Sequence, residues 1–335
     1  MIGISFYLND PLAESRLETA GKQGVKRAFT SLHIPEESGD LADRAKKLLQ
    51  KAKEEGIEVY ADVSYRTPSH LGLENLNELK NLGVGGLRLD DFFQSGTIIQ
   101  LSKEFKIAVN ASILFEDDLN ALLALGLEPE QVIAWHNFYP RPETGLDEQF
   151  FREQNALFQK LGIPVAAYVP GDGEKRGPLY EGLPTLENHR NLDPFLAALE
   201  LYQCGIEDVY IGDPEVSGSL LQKIMEFEQT KTIAIRVEGL VSGEFSLRPD
   251  FARDVLRLMD TRRTEPVSPA NTVARSRGTI TMDNDLYGRY RGEVQVVLNP
   301  LPADERVNVI GRVIEEDIPL LSYIRPGQRI KMIEV

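Results

Sequence analysis

Val132-Ile133-Ala134-Trp135-His136-Asn137-Phe138-Tyr139-Pro140-Arg141-Pro142-Glu143-Thr144-Gly145-Leu146 is the stretch on which the fold turns. A short apolar strand runs directly into aromatic, imidazole, amide and guanidinium side chains. Two prolines and a glycine then pin the backbone. A strand that empties into chemistry-bearing residues, rather than into a plain polar turn, belongs to an α/β fold whose loops carry the site. Trp135 and Tyr139 are expected to stack on a ligand, His136 and Asn137 to hydrogen-bond it, and Arg141 to clamp an anion. The ligand implied is a sugar or another polar, anionic small molecule.

Seven more runs of the same kind flank this one. They are residues 2–7, 27–33, 58–64, 86–90, 107–112, 165–169 and 208–212. Between them lie stretches of helical period. In 40–55, Leu41, Ala45, Leu48, Leu49 and Ala52 repeat at i, i+3/i+4 spacing while the remaining positions are mostly charged or polar. Glycines such as Gly56 and Gly205 stand where such helices end. Eight strand–helix units in about 230 residues predict an α/β protein built on a (β/α)8 TIM barrel. An open doubly wound sheet would want a glycine-rich phosphate turn after the first strand, and the chain offers Tyr7-Leu8-Asn9-Asp10-Pro11 instead. Past Thr230 the helical period fades. Residues 232–237, 294–298, 307–314 and 329–333 read as strands, with a helix-like segment at 249–258, so a small β-rich domain is expected. The division predicted is 1–230 for the barrel and 231–335 for the β domain.

Composition narrows the partners. The net charge of −15 and the absence of a basic tract argue against nucleic acid. From Thr232 onward 15 basic residues balance 15 acidic ones, so the imbalance lies ahead of it, 22 basic against 37 acidic. The basic residues of that neutral part are arginines apart from Lys331, and arginine is the better bidentate partner for phosphate and carboxylate. A single cysteine, Cys204, excludes an internal disulfide and suits a reducing compartment. No apolar run approaches the roughly 18 residues of a membrane span, and the first residues read as a strand rather than a signal peptide. A cytoplasmic protein without membrane partners is expected. The oligomeric state is left open.

In a barrel of this kind the site lies at the C-terminal ends of the strands. Those ends carry Tyr7, His33, Asp62, Ser64, Arg88, Asp90, Asn110, Ser112, His136, Asn137, Tyr168 and Asp213. Arg88 and Asp90 share strand parity and should both point inward, where a carboxylate is costly unless it is paired or used. Plainer roles exist for several: Arg88 could pair with Asp90 across the rim, Asp62 could belong to a barrel network, and His33 could be packed in the core. A long Gly- and Pro-rich loop after the seventh strand carries Arg176, Glu187, His189 and Arg190. It reads as a lid, or its Thr185–Glu187 segment simply opens a helix. No Walker loop, HExxH or CxxC spacing occurs, and neither a metal nor a cofactor is expected.

Three segments resemble one bacterial family. They are Ser31-Leu32-His33-Ile34-Pro35-Glu36-Glu37, the Trp135–Leu146 block, and Arg176-Gly177-Pro178-Leu179 continuing through Glu181-Gly182-Leu183-Pro184-Thr185-Leu186-Glu187. The family is that of two-domain proteins once labelled outer surface proteins, which includes a 6-phospho-N-acetylmuramidase of cell-wall recycling. The resemblance implies a TIM barrel followed by a cyclophilin-like domain. It also implies a glycosidase that cleaves N-acetylmuramic acid 6-phosphate from N-acetylglucosamine in cytoplasmic peptidoglycan recycling. The partner is then a phosphorylated amino-sugar disaccharide. The resemblance leaves the catalytic pair to chemistry. Glycoside cleavage uses two carboxyl groups, or one carboxylate that orients the substrate's own amide. Asp90 and Glu187 are the expected pair, with Asp62 and Asp213 in reserve. His33, Arg88, Asn110, Trp135, His136, Asn137, Tyr139, Tyr168 and His189 are expected to line the sugar, and Arg141, Arg176 and Arg190 to hold its anions. A non-catalytic phosphosugar sensor using the same cleft is the alternative.

Overall fold

The computed structural model describes residues 1–32, 41–89 and 93–335. Eight parallel strands close into a barrel in chain order: β1 (Ile2–Ser5), β2 (Arg27–Ser31), β3 (Glu58–Val63), β4 (Val84–Leu89), β5 (Lys106–Asn110), β6 (Val132–Trp135), β7 (Val165–Val169) and β8 (Asp208–Ile211). The helices of the barrel are α1 (Ala13–Lys22), α2 (Leu41–Glu54), α3 (Thr67–Leu71), α4 (Ser95–Leu101), α5 (Glu116–Ala124), α6 (Glu148–Gln159), α7 (Pro194–Gln203) and α8 (Gly218–Thr230). This is a TIM barrel, as the strand spacing predicts. In α2 the inward stripe Ala45, Leu48, Leu49 and Ala52 is fully buried, as its period requires. Asp193 caps α7 by accepting from the amides of Phe195 and Leu196, and Pro194 takes the first helical position, where no donor is needed.

Aromatic rings fill the barrel. Phe29, Tyr60, Trp135, Tyr168 and Tyr210 form one buried cluster, all at 1% exposure or less. Trp135 lies 4.3 Å from Tyr210 and 5.3 Å from Tyr60, centroid to centroid. Room for them comes from glycine on neighbouring strands. A Cβ on Gly3 would stand 2.3 Å from the Tyr210 ring, and one on Gly86 2.2 Å from the Tyr60 ring. The interior is thus a packed core, and it leaves function to the rim.

The chain divides into two compact units, Met1–Met225 and Glu226–Val335. The second is a seven-stranded mixed sheet built from β9 (Ile233–Gly239), β10 (Gly243–Ser246), β11 (Val255–Arg257), β12 (Thr279–Asp283), β13 (Val294–Val297), β14 (Val307–Val313) and β15 (Arg329–Glu334). The strand order is β10-β15-β9-β14-β12-β13-β11, with β15 and β9 parallel and the other pairs antiparallel. The helix expected at 249–258 is absent; β11 lies there instead, paired to β13. Pro249 opens that segment, and Leu256, its apolar middle, is buried on the sheet. Among the described residues no helix is long and apolar enough to cross a membrane.

Candidate active site

The C-terminal rim of the barrel gathers charge around one ion pair. Arg88, near the end of β4, reaches Asp62 of β3 at 2.6 Å, and both are nearly buried at 4% and 7% exposure. The pairing follows from register, since Asp62 stands opposite Arg88 across β3 and β4. The second arm of the same guanidinium donates to the Asn137 side-chain carbonyl, just past β6. Removing one member of such a pair strands a buried charge, so Arg88, Asp62 and Asn137 act as a unit. Tyr168 of β7 stands beside them with its hydroxyl buried. Burial first of all, then the neighbouring Asp62, hold that phenol protonated well above its ordinary range, against the pull of Arg88.

A second cluster sits over β1. The Tyr7 hydroxyl donates to the Gly212 carbonyl at 2.5 Å. The Arg176 guanidinium lies 3.8 Å from the centre of the Tyr7 ring and 6.0 Å from that of Phe138, a cation over aromatic rings. Asp213 fixes its loop from below, accepting from the amides of Gly171 and Arg176 at 3.0 Å each, with Lys175 at 3.6 Å. Asp213, 1% exposed, thus anchors this loop.

Several expected site residues serve the scaffold instead. Trp135 does not face a ligand; it is fully buried among the barrel aromatics. His136, one residue on, points the other way, because side chains alternate along a strand. Its Nε2 lies 2.8 Å from Asn155 of α6 and its Nδ1 3.2 Å from Ser112, which in turn accepts from the amide of Asn137. Burial lowers its pKa to about 4, so the imidazole is neutral and joins β5, β6 and α6. Glu187 is equally committed. Its carboxylate accepts from Arg190 at 2.7 Å through both oxygens, from the amide of Glu143 at 2.9 Å and from that of Gly145 at 2.7 Å. Arg190 first, then the two amides, hold it at about 2, well below the carboxylate range. A carboxylate so bonded is held ionised, and it ties the loop after β6 to the loop after β7. Arg190 also donates to the carbonyls of Tyr139, Arg141, Glu181 and Gly182, so it ties two loops together and is not open to an anion. His189 is buried with Nε2 3.5 Å from Glu200 of α7, behind the loop. Asn110 caps the turn after β5 by accepting from the amide of Ser112 at 3.1 Å.

Arg141 is exposed, and its guanidinium makes no ion pair among the described residues. Tyr139 is half-buried and bonded through its amide to the Pro184 carbonyl. His33 and Asp90 lie outside the described residues. Sequence reasoning passed over Phe138, the half-buried wall of the mouth, and the ring of Tyr7 as a platform for Arg176. The strand-end position of Tyr7 was the available signal; Phe138 gave none beyond its place in the aromatic block. No group of His, Cys, Asp and Glu among the described residues is arranged to hold a metal ion.

The chain is similar to known proteins over its whole length. A family model described as 6-phospho-N-acetylmuramidase, N-terminal, matches residues 2–226, and one described as 6-phospho-N-acetylmuramidase, C-terminal, matches residues 224–333. Among solved structures, a conserved protein of unknown function from Enterococcus faecalis is 36% identical, covers 100% of this chain and 96% of its own, and superposes with a TM-score of 0.84. An uncharacterized B. cereus protein is 27% identical, covers 99% of both chains and superposes at 0.81. No curated protein matches this chain significantly.

Proposed function

Because the chain belongs to the 6-phospho-N-acetylmuramidase family, we propose that it is an active glycoside hydrolase that releases N-acetylmuramic acid 6-phosphate from N-acetylglucosamine in cytoplasmic peptidoglycan recycling. The observation that carries this reading is the match of both family models, which together run from residue 2 to residue 333. The barrel rim supports it with the parts such chemistry needs. Water adds across the glycosidic bond: its hydroxyl goes to the muramyl anomeric carbon and a proton goes to the leaving oxygen. Asp62, held by Arg88 at 2.6 Å, is suited to act as an ionised carboxylate, either activating water or orienting the substrate's acetamido group. Asp90, which follows β4 in the sequence, and Glu187 are the other carboxyls proposed for the pair.

The anions of the substrate need fixed donors. Several backbone amides of the rim loops are taken by the chain's own carboxylates. Glu187 takes those of Glu143 and Gly145, Asp213 those of Gly171 and Arg176, and Asp172 that of Ser217 at the start of α8. Exposed Arg141 and the Arg176 guanidinium over Tyr7 are the proposed holders of phosphate and lactyl carboxylate, since arginine is the better bidentate partner for both. The test is incubation with the 6-phosphorylated disaccharide, products read by mass. Asp62→Asn is expected to cut turnover by about 10²–10⁴-fold with substrate still bound. An unchanged rate would remove Asp62 from the chemistry, and intact substrate with wild-type protein would remove the activity.

A further inference from the structure

We propose that the Tyr168 hydroxyl reads the acetamido carbonyl of the N-acetylated sugar, with Phe138 and Phe29 as the wall for its methyl group. The sugar's identity rests on the glycosidase reading above; the donor itself rests on geometry. Tyr168 points into the barrel, is 1% exposed, and its hydroxyl has no hydrogen-bond partner among the described residues. Its backbone is fixed by Thr185. Its amide donates to the Thr185 hydroxyl at 2.9 Å, and its carbonyl accepts from the Thr185 amide at 3.0 Å. Phe138 and Phe29 stand edge-on to it, with centroids at 5.1 and 5.4 Å and interplanar angles of 82° and 77°. A buried hydroxyl without a partner is destabilising, so one that is held in place is a candidate for external use.

Its position picks the chemistry. Burial keeps this phenol protonated, and the charged groups that act on it are Arg88 and Asp62 of the C-terminal rim, with the phenols of Tyr7 and Tyr210 beside them. A protonated phenol donates a hydrogen bond and takes no proton. Apolar edges on two sides suit an uncharged acceptor oxygen that carries a methyl, which is an acetamide. A free ammonium in the same place would bring no acceptor. Tyr210, the other buried phenol of the cluster without a partner, feels Asp208, Arg27 and Glu58. Those residues begin β8, β2 and β3, so the charges around the Tyr210 hydroxyl differ from those around Tyr168, although the two rings are neighbours with centroids 6.0 Å apart.

Calorimetry on the full chain tests this with two probes, N-acetylmuramic acid 6-phosphate and muramic acid 6-phosphate, which bears a free amine. Wild type should prefer the acetylated probe. Tyr168→Phe should weaken that probe by roughly tenfold, the size of one lost hydrogen bond. The amine should change by less than about twofold, and the melting temperature should hold or rise, because no internal bond is lost. Equal weakening of both probes, no weakening, or a fall of several degrees in melting temperature would overturn the assignment. If Tyr168→Phe fails to fold, Phe138→Leu keeps the hydroxyl and widens the wall. It should then improve the N-propionyl analogue relative to the acetyl probe, and no improvement would overturn the site. The comparison needs no turnover. Failure of wild type to cleave the disaccharide counts against the glycosidase, whereas failure to bind either probe counts against this inference.

Discussion

At the residue scale, Glu187 and Arg141 illustrate how one loop divides its charges between structure and surface. Glu187 is depressed to about 2 by Arg190 and two backbone amides. Its folded value lies below its unfolded one of about 4.3. Its stabilising effect is therefore fully present above about pH 4.3 and is lost as pH falls toward 2. Glu187→Gln should lower stability at pH 7 by about 1–3 kcal/mol. That deficit should shrink in denaturant titrations repeated between pH 4 and pH 2, and turnover per folded molecule should fall. Turnover near wild type would leave Glu187 with the loops alone. The Arg141 side chain is exposed and makes no ion pair among the described residues, so Arg141→Ala should leave stability within about 0.5 kcal/mol. The same change should weaken the 6-phosphorylated ligand by roughly 1.5–3 kcal/mol relative to its unphosphorylated analogue. Equal weakening of the two would exclude a phosphate contact. Arg190→Ala, by contrast, should destabilise by about 1–3 kcal/mol, because it removes the guanidinium partner of Glu187 and the donor to four carbonyl oxygens.

At the element scale, the two long loops that follow β6 and β7 form a single seam. Thr185 accepts from the Tyr168 amide and donates to the Asn137 carbonyl, both at 2.9 Å, and Leu146 pairs with Leu186 in an isolated parallel bridge. Thr185→Val keeps the shape and removes both side-chain bonds. It should cost about 1–3 kcal/mol, and hydrogen exchange should show faster opening at Tyr168 and Asn137 than in α2. Uniform protection would mean the seam is held elsewhere. In the second unit, β12 ends on Asp283. This carboxyl is 4% exposed and takes no hydrogen bond among the described residues. Burial, then the charge of Glu293, raise its pKa to about 7. Here the sign is reversed, since the folded state holds the proton more tightly. The group weakens the fold progressively from about pH 4 to pH 7 and fully above that. Asp283→Asn should accordingly raise the melting temperature at pH 8 and lose that advantage as pH falls to 4. An advantage that is flat with pH would sink this account.

At the scale of the whole molecule, α8 ends at Thr230, and exposed Lys231, with φ 52°, precedes β9. We propose that this junction separates two independently stable domains, about 1–230 and 231–335. Brief trypsin treatment should cut after Lys231 and leave two fragments, each melting cooperatively by circular dichroism. Protection of the full chain with cleavage elsewhere, or an unfolded fragment, would show that the halves depend on each other.

The sequence by itself determined the barrel. Eight apolar runs at regular spacing, amphipathic stretches between them, and glycines such as Gly56 and Gly205 at helix ends are local signals. Each depends on a residue's own backbone preference or on neighbours within a turn. It also placed Arg88, Asp62, Asn137 and Tyr168 at one rim, because strand order and direction carry that information. What it could not determine is which polar group spends its hydrogen bonds on the protein. Trp135 and His136 look alike as site residues, yet alternation and barrel packing bury one and turn the other toward α6. Glu187 and Asp213 read as catalytic carboxylates in the sequence, and only the fold shows that amides from residues 42 to 44 positions earlier in the chain close on them. Those partners are brought together by tertiary folding, and hydrogen-bond satisfaction at such range leaves no periodic trace in the chain. The tertiary structure alone therefore decided which of these side chains hold the loops.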